Sequence, residues 1–204
     1  VTVWSKWLLM KDYPFEKENR HERIRIFFND FKQEAAEKQG KSRWGDKTPI
    51  YVLKLYFIET LFPDCQVIHM IRDGRDVVSS SLDRWGYRRG LSATKRWGKS
   101  VRAGQAWGRT VSSERYQEVK YEDLVLNPEP TMKQVCTFLN EPWVPELLEK
   151  GTYKSELTEK RRKAAGNQDF YTSRIGVGKK KLDPLIKTVF NHYSGDLLKE
   201  LGYS

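Results

Sequence analysis

Apolar positions recur along this chain with two different periods, and each change of period marks an element. Between Glu22 and Gln39 they fall at Ile24, Phe27, Phe28, Phe31 and Ala35, the spacing of one helical face, and Gly40 can end that helix. Ile50–Phe62 is apolar nearly all round, which predicts a helix buried between layers. Gln66–Ile71 is short, apolar and β-branched, the pattern of an interior parallel strand. A helix should follow it, and Ala93–Ser113 should form a longer one, basic and Trp-rich, with Trp97 and Trp107 available for packing. Tyr116–Lys120 reads as a second strand. After the Asn127-Pro128 turn, Met132, Val135, Cys136 and Leu139 make a helical stripe. Asp183-Pro184 supplies a cap with proline at the first helical position. Leu185, Ile186, Val189 and Phe190 then line one helix, and Leu197, Leu198 and Leu201 a last one. Helices alternating with short buried strands imply an α/β layered fold with a mainly parallel sheet.

Composition narrows this picture only slightly. With 204 residues, one domain spanning 1–204 with a sizeable core is expected. A hydrophobic content of 38% with 13% aromatics excludes a disordered chain. Lys and Arg number 37 against 27 Asp and Glu, a net charge of +10 that favours polyanionic partners without choosing among them. Cys65 and Cys136 cannot build a disulfide framework and read as small core residues. With His21, His69 and His192 the only histidines, no metal-ligand spacing occurs, and no metal is expected. No apolar run in the sequence is long enough to span a bilayer, and none reads as a signal peptide, so a chain without a membrane span is the expectation. Gly151–Ser173 is polar, with KRRK at Lys160–Lys163; it reads either as a mobile surface segment near the substrate or as a solvated connection.

The chemistry concentrates in Phe62–Arg84, FPDCQVIHMIRDGRDVVSSSLDR. Arg72 stands at the carboxyl end of the first strand, Asp73 can cap the following helix, and Gly74 lets the backbone approach a ligand. Ser79, Ser80 and Ser81 lie on the early helix. A helix amino terminus presents free N–H groups and a positive dipole end. Adding an arginine fork and hydroxyls makes an anion site, best suited to phosphate. The plain alternative is a strand–helix turn whose charges face water. ATKRWGKS at Ala93–Ser100 and AAEKQGKS at Ala35–Ser42 fit a loose phosphate-loop pattern. Neither offers the glycine-rich strand-to-helix loop on which converging N–H groups depend.

Four motifs follow one another: GDKTP at Gly45–Pro49, FPDCQVIHMIRDGRDVVSS, KYEDLVLNPEPTMKQVCTFL at Lys120–Leu139, and RIGVGKKKL at Arg174–Leu182. In this order they resemble the sulfotransferases, over most of the chain from Gly45 onward. The resemblance implies a three-layer α/β/α sulfotransferase fold with a mainly parallel sheet, similar to that of the phosphate-loop nucleoside triphosphatases. It also implies a donor, 3′-phosphoadenosine 5′-phosphosulfate (PAPS), which leaves as 3′-phosphoadenosine 5′-phosphate (PAP). Carried over to these positions, Arg72 and Ser80 would hold the 3′-phosphate and Tyr121 would lie near the adenine. Arg174 and Gly176 would close over the 3′-phosphate, with Lys179 adding positive charge beside it. Lys47 would approach the sulfonate, where an ammonium stabilises charge developing on the bridging oxygen. Pro49 biases Thr48 toward extended backbone, so Lys47 should end a short strand. Arg75 and Asp76 are expected to pair across the turn.

Two departures qualify the resemblance. Val177-Gly178 stands where many relatives carry a basic residue and a tryptophan. Nothing in Val1–Arg43 resembles the Gly-, Ser- and Thr-rich loop that grips the 5′-phosphosulfate, so the chain is expected to be truncated at its amino terminus and to self-associate through an unpaired sheet edge. The catalytic base is unassigned, with His21 and Glu22 possible by position alone, and His69 reads as a core histidine. The expected function is sulfonate transfer to a hydroxyl or amine, with the nucleotide and that acceptor as partners and no nucleic acid. Three alternatives remain open: a catalytically incomplete nucleotide-binding fragment, a phosphate-loop kinase-like protein and a basic nucleic-acid-binding module. The expected location is cytoplasmic, or the Golgi lumen if an anchor lies outside this sequence.

Overall fold

Helix α1 (Arg20–Glu37) opens the described residues, 20–148 and 172–203, of the computed structural model. The chain divides into two compact units, Val1–Cys65 and Gln66–Ser204. In the first, α1 ends as its sequence predicts: Gly40 takes φ 66° and the Lys41 N–H reaches back to the Ala36 carbonyl at 3.0 Å. Lys32 pairs with Asp46 at 3.2 Å, and the Trp44 ring meets Phe62 edge-on.

Thr48 is extended, at φ −132° and ψ 111°, as the following proline requires. No strand forms at 43–48, however, because the described part of this unit offers no strand for it to pair with. The single buried helix expected over Ile50–Phe62 is also broken. A 3₁₀ turn, Pro49–Leu53, precedes α2 (Leu55–Leu61), and Lys54 between them leaves the helical path at φ −132°. Three-residue hydrogen bonds, Tyr51 N–H to Thr48 and Lys54 N–H to Tyr51, tighten the chain there. Within α2 only Leu55 and Leu61 are buried, while Ile50 and Tyr56 are each 56% exposed.

The second unit is built on two parallel strands, β1 (Val67–Ile71) and β2 (Tyr116–Lys120), paired from Val67↔Tyr116 to Ile71↔Lys120. A parallel pairing needs a long crossover, here α3 (Gly74–Trp85) and α4 (Tyr87–Gly108). The strand is one-sided rather than interior: Ile71 is buried but Met70 is 46% exposed, and β1 has one strand neighbour among the described residues. ATKRWGKS lies wholly within α4 and AAEKQGKS runs off the end of α1, so neither forms a phosphate loop.

Beyond β2 come α5 (Tyr121–Leu126), α6 (Pro128–Leu139), α7 (Val177–Lys181) and α8 (Pro184–Glu200). Asp183 caps α8 by accepting the Ile186 N–H at 3.0 Å. Where two helices were expected, α8 runs unbroken through Gly195, because packing on α4 continues: buried Ser194 donates to the Thr94 carbonyl at 3.1 Å. Ile71, Val78, Trp97, Ile186, Phe190 and Leu197 form the core between β1, α3, α4 and α8. Val78, Ile186 and Phe190 are wholly enclosed; each such side chain contributes roughly 1.5–3 kcal/mol. This packing fixes the carboxyl end of β1, where Arg72 emerges. Residues 149–171 lie outside the described residues and, with them, nearly all of the segment expected to be a mobile surface loop.

Candidate functional site

The turn from β1 into α3 is held by hydrogen bonds from three sides. Asp73 caps α3, its Oδ1 accepting the Arg75 N–H at 2.8 Å. The peptide unit joining Arg72 to Asp73 is gripped at both ends. Trp97 Nε1 donates to the Arg72 carbonyl at 3.0 Å, and the Asp73 N–H donates to Glu122 Oε1 at 3.0 Å. The Tyr203 hydroxyl donates to the other Glu122 oxygen at 2.9 Å. Burial and then the Glu122 charge raise the Tyr203 pKa, which keeps this hydroxyl a donor. A turn so restrained points its first side chain in one direction.

That side chain is Arg72. Its guanidinium carbon lies 4.5 Å from the centre of the Tyr121 ring, and Nη2 donates to the Arg174 carbonyl. Asp76 Oδ2 lies 3.5 Å from the same nitrogen. Arg72 Nε is buried with no hydrogen-bond partner among the described residues. A buried guanidinium N–H without a partner is uncommon, and it marks a place where an anion would be bound favourably.

Asp76 joins this turn to a segment a hundred residues away. The carboxylate is buried; Oδ1 accepts the Gly178 N–H at 2.7 Å and Oδ2 the Gly176 N–H at 2.9 Å. Gly176 sits at φ 73°, a left-handed conformation that costs glycine nothing. Followed by the first residues of α7, it makes the two amides converge on one anion. Gly178 has no room for a side chain: a Cβ there would overlap the Arg75 carbonyl group. At this position a glycine is the residue that the packing admits.

Of the residues singled out by sequence, Arg72, Tyr121, Arg174 and Gly176 are brought together. Ser80 is half-buried on the second turn of α3, between buried Ser79 and Ser81. Arg174, Lys179 and Lys180 are exposed beside the cluster. Lys47 belongs to the other compact unit, where it is exposed after Asp46. His21 is exposed and meets the edge of Phe57. The expected Arg75–Asp76 pair is replaced: the Arg75 fork closes on Asp73, with Nη2 to Oδ2 at 2.7 Å, and Asp76 turns to the amides instead. Glu122 and Asp76 were not foreseen in these roles. The one local signal was the i, i+4 spacing of Arg72 and Asp76 at a helix start.

His69 is buried and satisfied, as expected of a core histidine. Tyr116 donates to Glu118 at 2.8 Å, so His69 Nδ1, 2.7 Å from the same hydroxyl, must carry the proton and donate to it. An open surface depression between β2 and α6, bordered by Gln117, Lys133 and Phe138, shares no residue with the Arg72 cluster.

Comparison with known proteins identifies the architecture. A family model described as "Sulfotransferase family" matches residues 3–145, which include Lys47, Arg72, Ser80 and Tyr121. The chain belongs to the sulfotransferase family. Arg174–Gly178 lies beyond the matched residues, so its contacts with Arg72 and Asp76 are an independent observation. Among curated relatives, the protein-tyrosine sulfotransferase of Drosophila melanogaster is 29% identical over 123 residues, 56% of this chain and 25% of that protein. Protein-tyrosine sulfotransferase A of Caenorhabditis elegans is 29% identical over 112 residues, 52% of this chain and 30% of that protein. The aligned region is therefore under a third of the length of these relatives.

Solved structures agree on the α/β sulfotransferase fold. The sulfotransferase domain from the curacin biosynthetic pathway superposes with a TM-score of 0.67 at 22% identity, over 85% of this chain and 67% of that one. The sulfotransferase domain of the Synechococcus PCC 7002 olefin synthase gives 0.64 at 22% identity, over 93% and 72%. No helix among the described residues is long and apolar enough to cross a membrane.

Proposed function

We propose that the Arg72 cluster grips the 3′-phosphate of PAPS, and that the protein transfers the sulfonate of that donor to a hydroxyl group. The observation that carries this reading is the Arg72 guanidinium: fixed at a strand's carboxyl end, beside a helix amino terminus, with its buried Nε unpartnered. Ligands of α/β sheets bind at the carboxyl ends of strands, and a guanidinium fork matches phosphate oxygens in geometry and charge. Arg174, Lys179 and Lys180 add positive charge at the rim. In this reading Ser80 contributes a hydroxyl to the same phosphate, and Tyr121 lies where the adenine enters.

A hydroxyl acceptor is favoured over an amine because the curated relatives are named for sulfonating tyrosine, whose acceptor is a phenolic oxygen. In the transfer, the acceptor oxygen bonds to sulfur as the bond from sulfur to the 5′-phosphate oxygen breaks. The acceptor proton leaves to a base, and PAP carries away the negative charge. Lys47 is assigned to the neutralisation of that charge, and positioning supplies the rest of the acceleration.

Calorimetric titration of the chain with PAP, ATP and a single-stranded oligonucleotide at fixed salt tests the reading. PAP should bind at least about tenfold tighter than ATP, the separation that one charge-assisted contact provides. Equal affinity for all three would reduce the cluster to a general polyanion surface.

A further inference from the structure

We infer that Asp76 is a positioning residue that assembles the nucleotide grip: its carboxylate draws the Gly176–Gly178 backbone onto α3 and thereby holds the Arg174 carbonyl against Arg72. The inference rests on the reading of Arg72 as a 3′-phosphate grip and adds how that grip is built and closed.

Its basis is the state of the carboxylate. Asp76 is 2% exposed, and an ionised carboxyl cannot be buried without donors to replace water. Here two backbone N–H groups and one guanidinium serve, from 100 and 102 residues along the chain and from one helical turn before. Convergent amides of this kind ordinarily cradle an external anion. In this protein the cradle is filled from within, so the Gly176 and Gly178 N–H groups act as a latch. Two features of the latch are fitted to each other. Gly176 adopts the positive φ that turns its N–H inward, and Gly178 lacks the Cβ that would strike the Arg75 carbonyl.

The consequence for Arg72 is direct. Its Nη2 donates to the carbonyl of Arg174, two residues before the first latched amide. Releasing the latch removes that acceptor and frees the guanidinium to rotate off Tyr121. A ligand then has to reorder both the segment and the arginine, which lowers its affinity in proportion to the population of the competent state. Adenosine 5′-phosphate, which has no 3′-phosphate, does not use the grip and is insensitive to the change.

Three variants and two readouts test this. The first readout is the ratio of dissociation constants for adenosine 5′-phosphate and PAP; the second is hydrogen exchange at the amides of Gly176 and Gly178. Asp76→Ala should reduce the wild-type ratio about tenfold, as expected when a charge-assisted pair of contacts is lost, and both amides should exchange faster. Gly178→Ala leaves the carboxylate in place but forces the segment off α3, and should lower the ratio likewise. Asp76→Asn keeps the volume and one acceptor oxygen, and should fall between wild type and alanine; with Gly178→Ala it decides the matter if Asp76→Ala does not fold. A wild-type ratio near one would overturn the 3′-phosphate reading itself and this inference with it. A wild-type ratio well above one that survives in Asp76→Asn and Gly178→Ala would overturn the role of Asp76 alone.

Discussion

The Arg72 guanidinium carbon lies over the Tyr121 ring, 4.5 Å from its centre. Both residues stand at the carboxyl ends of adjacent parallel strands, where the register Ile71↔Lys120 sets Arg72 beside Tyr121. The pairing of β1 with β2 thus produces the stack, and the stack aims the arginine. A cation over an aromatic face gains about 0.5–2 kcal/mol, more as water is excluded.

Tyr121 therefore acts on the grip through Arg72. Tyr121→Phe keeps the ring and should bind PAP within about twofold of wild type. Tyr121→Ala should weaken PAP roughly fivefold, about 1 kcal/mol of lost cation–π contact. Calorimetry on the two variants decides, and equal loss in both would assign the effect to the hydroxyl.

Lys47 carries a different expectation, because its proposed value lies in the transition state. In a protein competent for transfer, Lys47→Ala should lower kcat by about 10²–10³ while leaving donor affinity nearly unchanged. Kinetics with labelled donor check the split. A variant with unaltered kcat would make Lys47 a surface lysine.

His69 gives the fold a pH dependence. Burial depresses its pKa, and the Glu118 charge opposes this only partly. The groups facing it are Tyr116 and Glu118 of β2, with Arg109 acting on Tyr116. A folded-state pKa below the unfolded value means that this contribution to stability is fully present above about pH 6.5 and is lost as pH falls through the folded value. The urea midpoint of the wild type should drop between pH 7.5 and 5.5, and His69→Gln should flatten the drop. An identical slope in the variant would remove His69 as its cause.

What could be read from the sequence was what depends on near neighbours. The strand expected over Gln66–Ile71, found at Val67–Ile71 and one-sided, the Asp73 cap and the Asp183-Pro184 helix start are each set within a few residues, and each formed. Arg72 and Arg174 were linked by the family resemblance alone, through their side chains; the contact observed is from the Arg72 guanidinium to the Arg174 backbone carbonyl. The Asp76 latch escaped notice because its partners are backbone amides a hundred residues on, which no side-chain pattern reveals. Glu122 is the same case, joining Asp73 to Tyr203 across three elements. The break at Lys54 was hidden for another reason: an all-round apolar run looks helical whether or not one 3₁₀ turn interrupts it.

The 3′-phosphate grip is tested most directly by calorimetry of PAP and adenosine 5′-phosphate against wild type, Arg72→Ala and Ser80→Ala. The wild type should prefer PAP. Arg72→Ala should remove roughly 1.5–3 kcal/mol of that preference, and Ser80→Ala about 1 kcal/mol. Both variants should bind adenosine 5′-phosphate as the wild type does. A wild type that binds the two nucleotides equally, or an Arg72→Ala variant that keeps the full preference for PAP, would contradict the assignment.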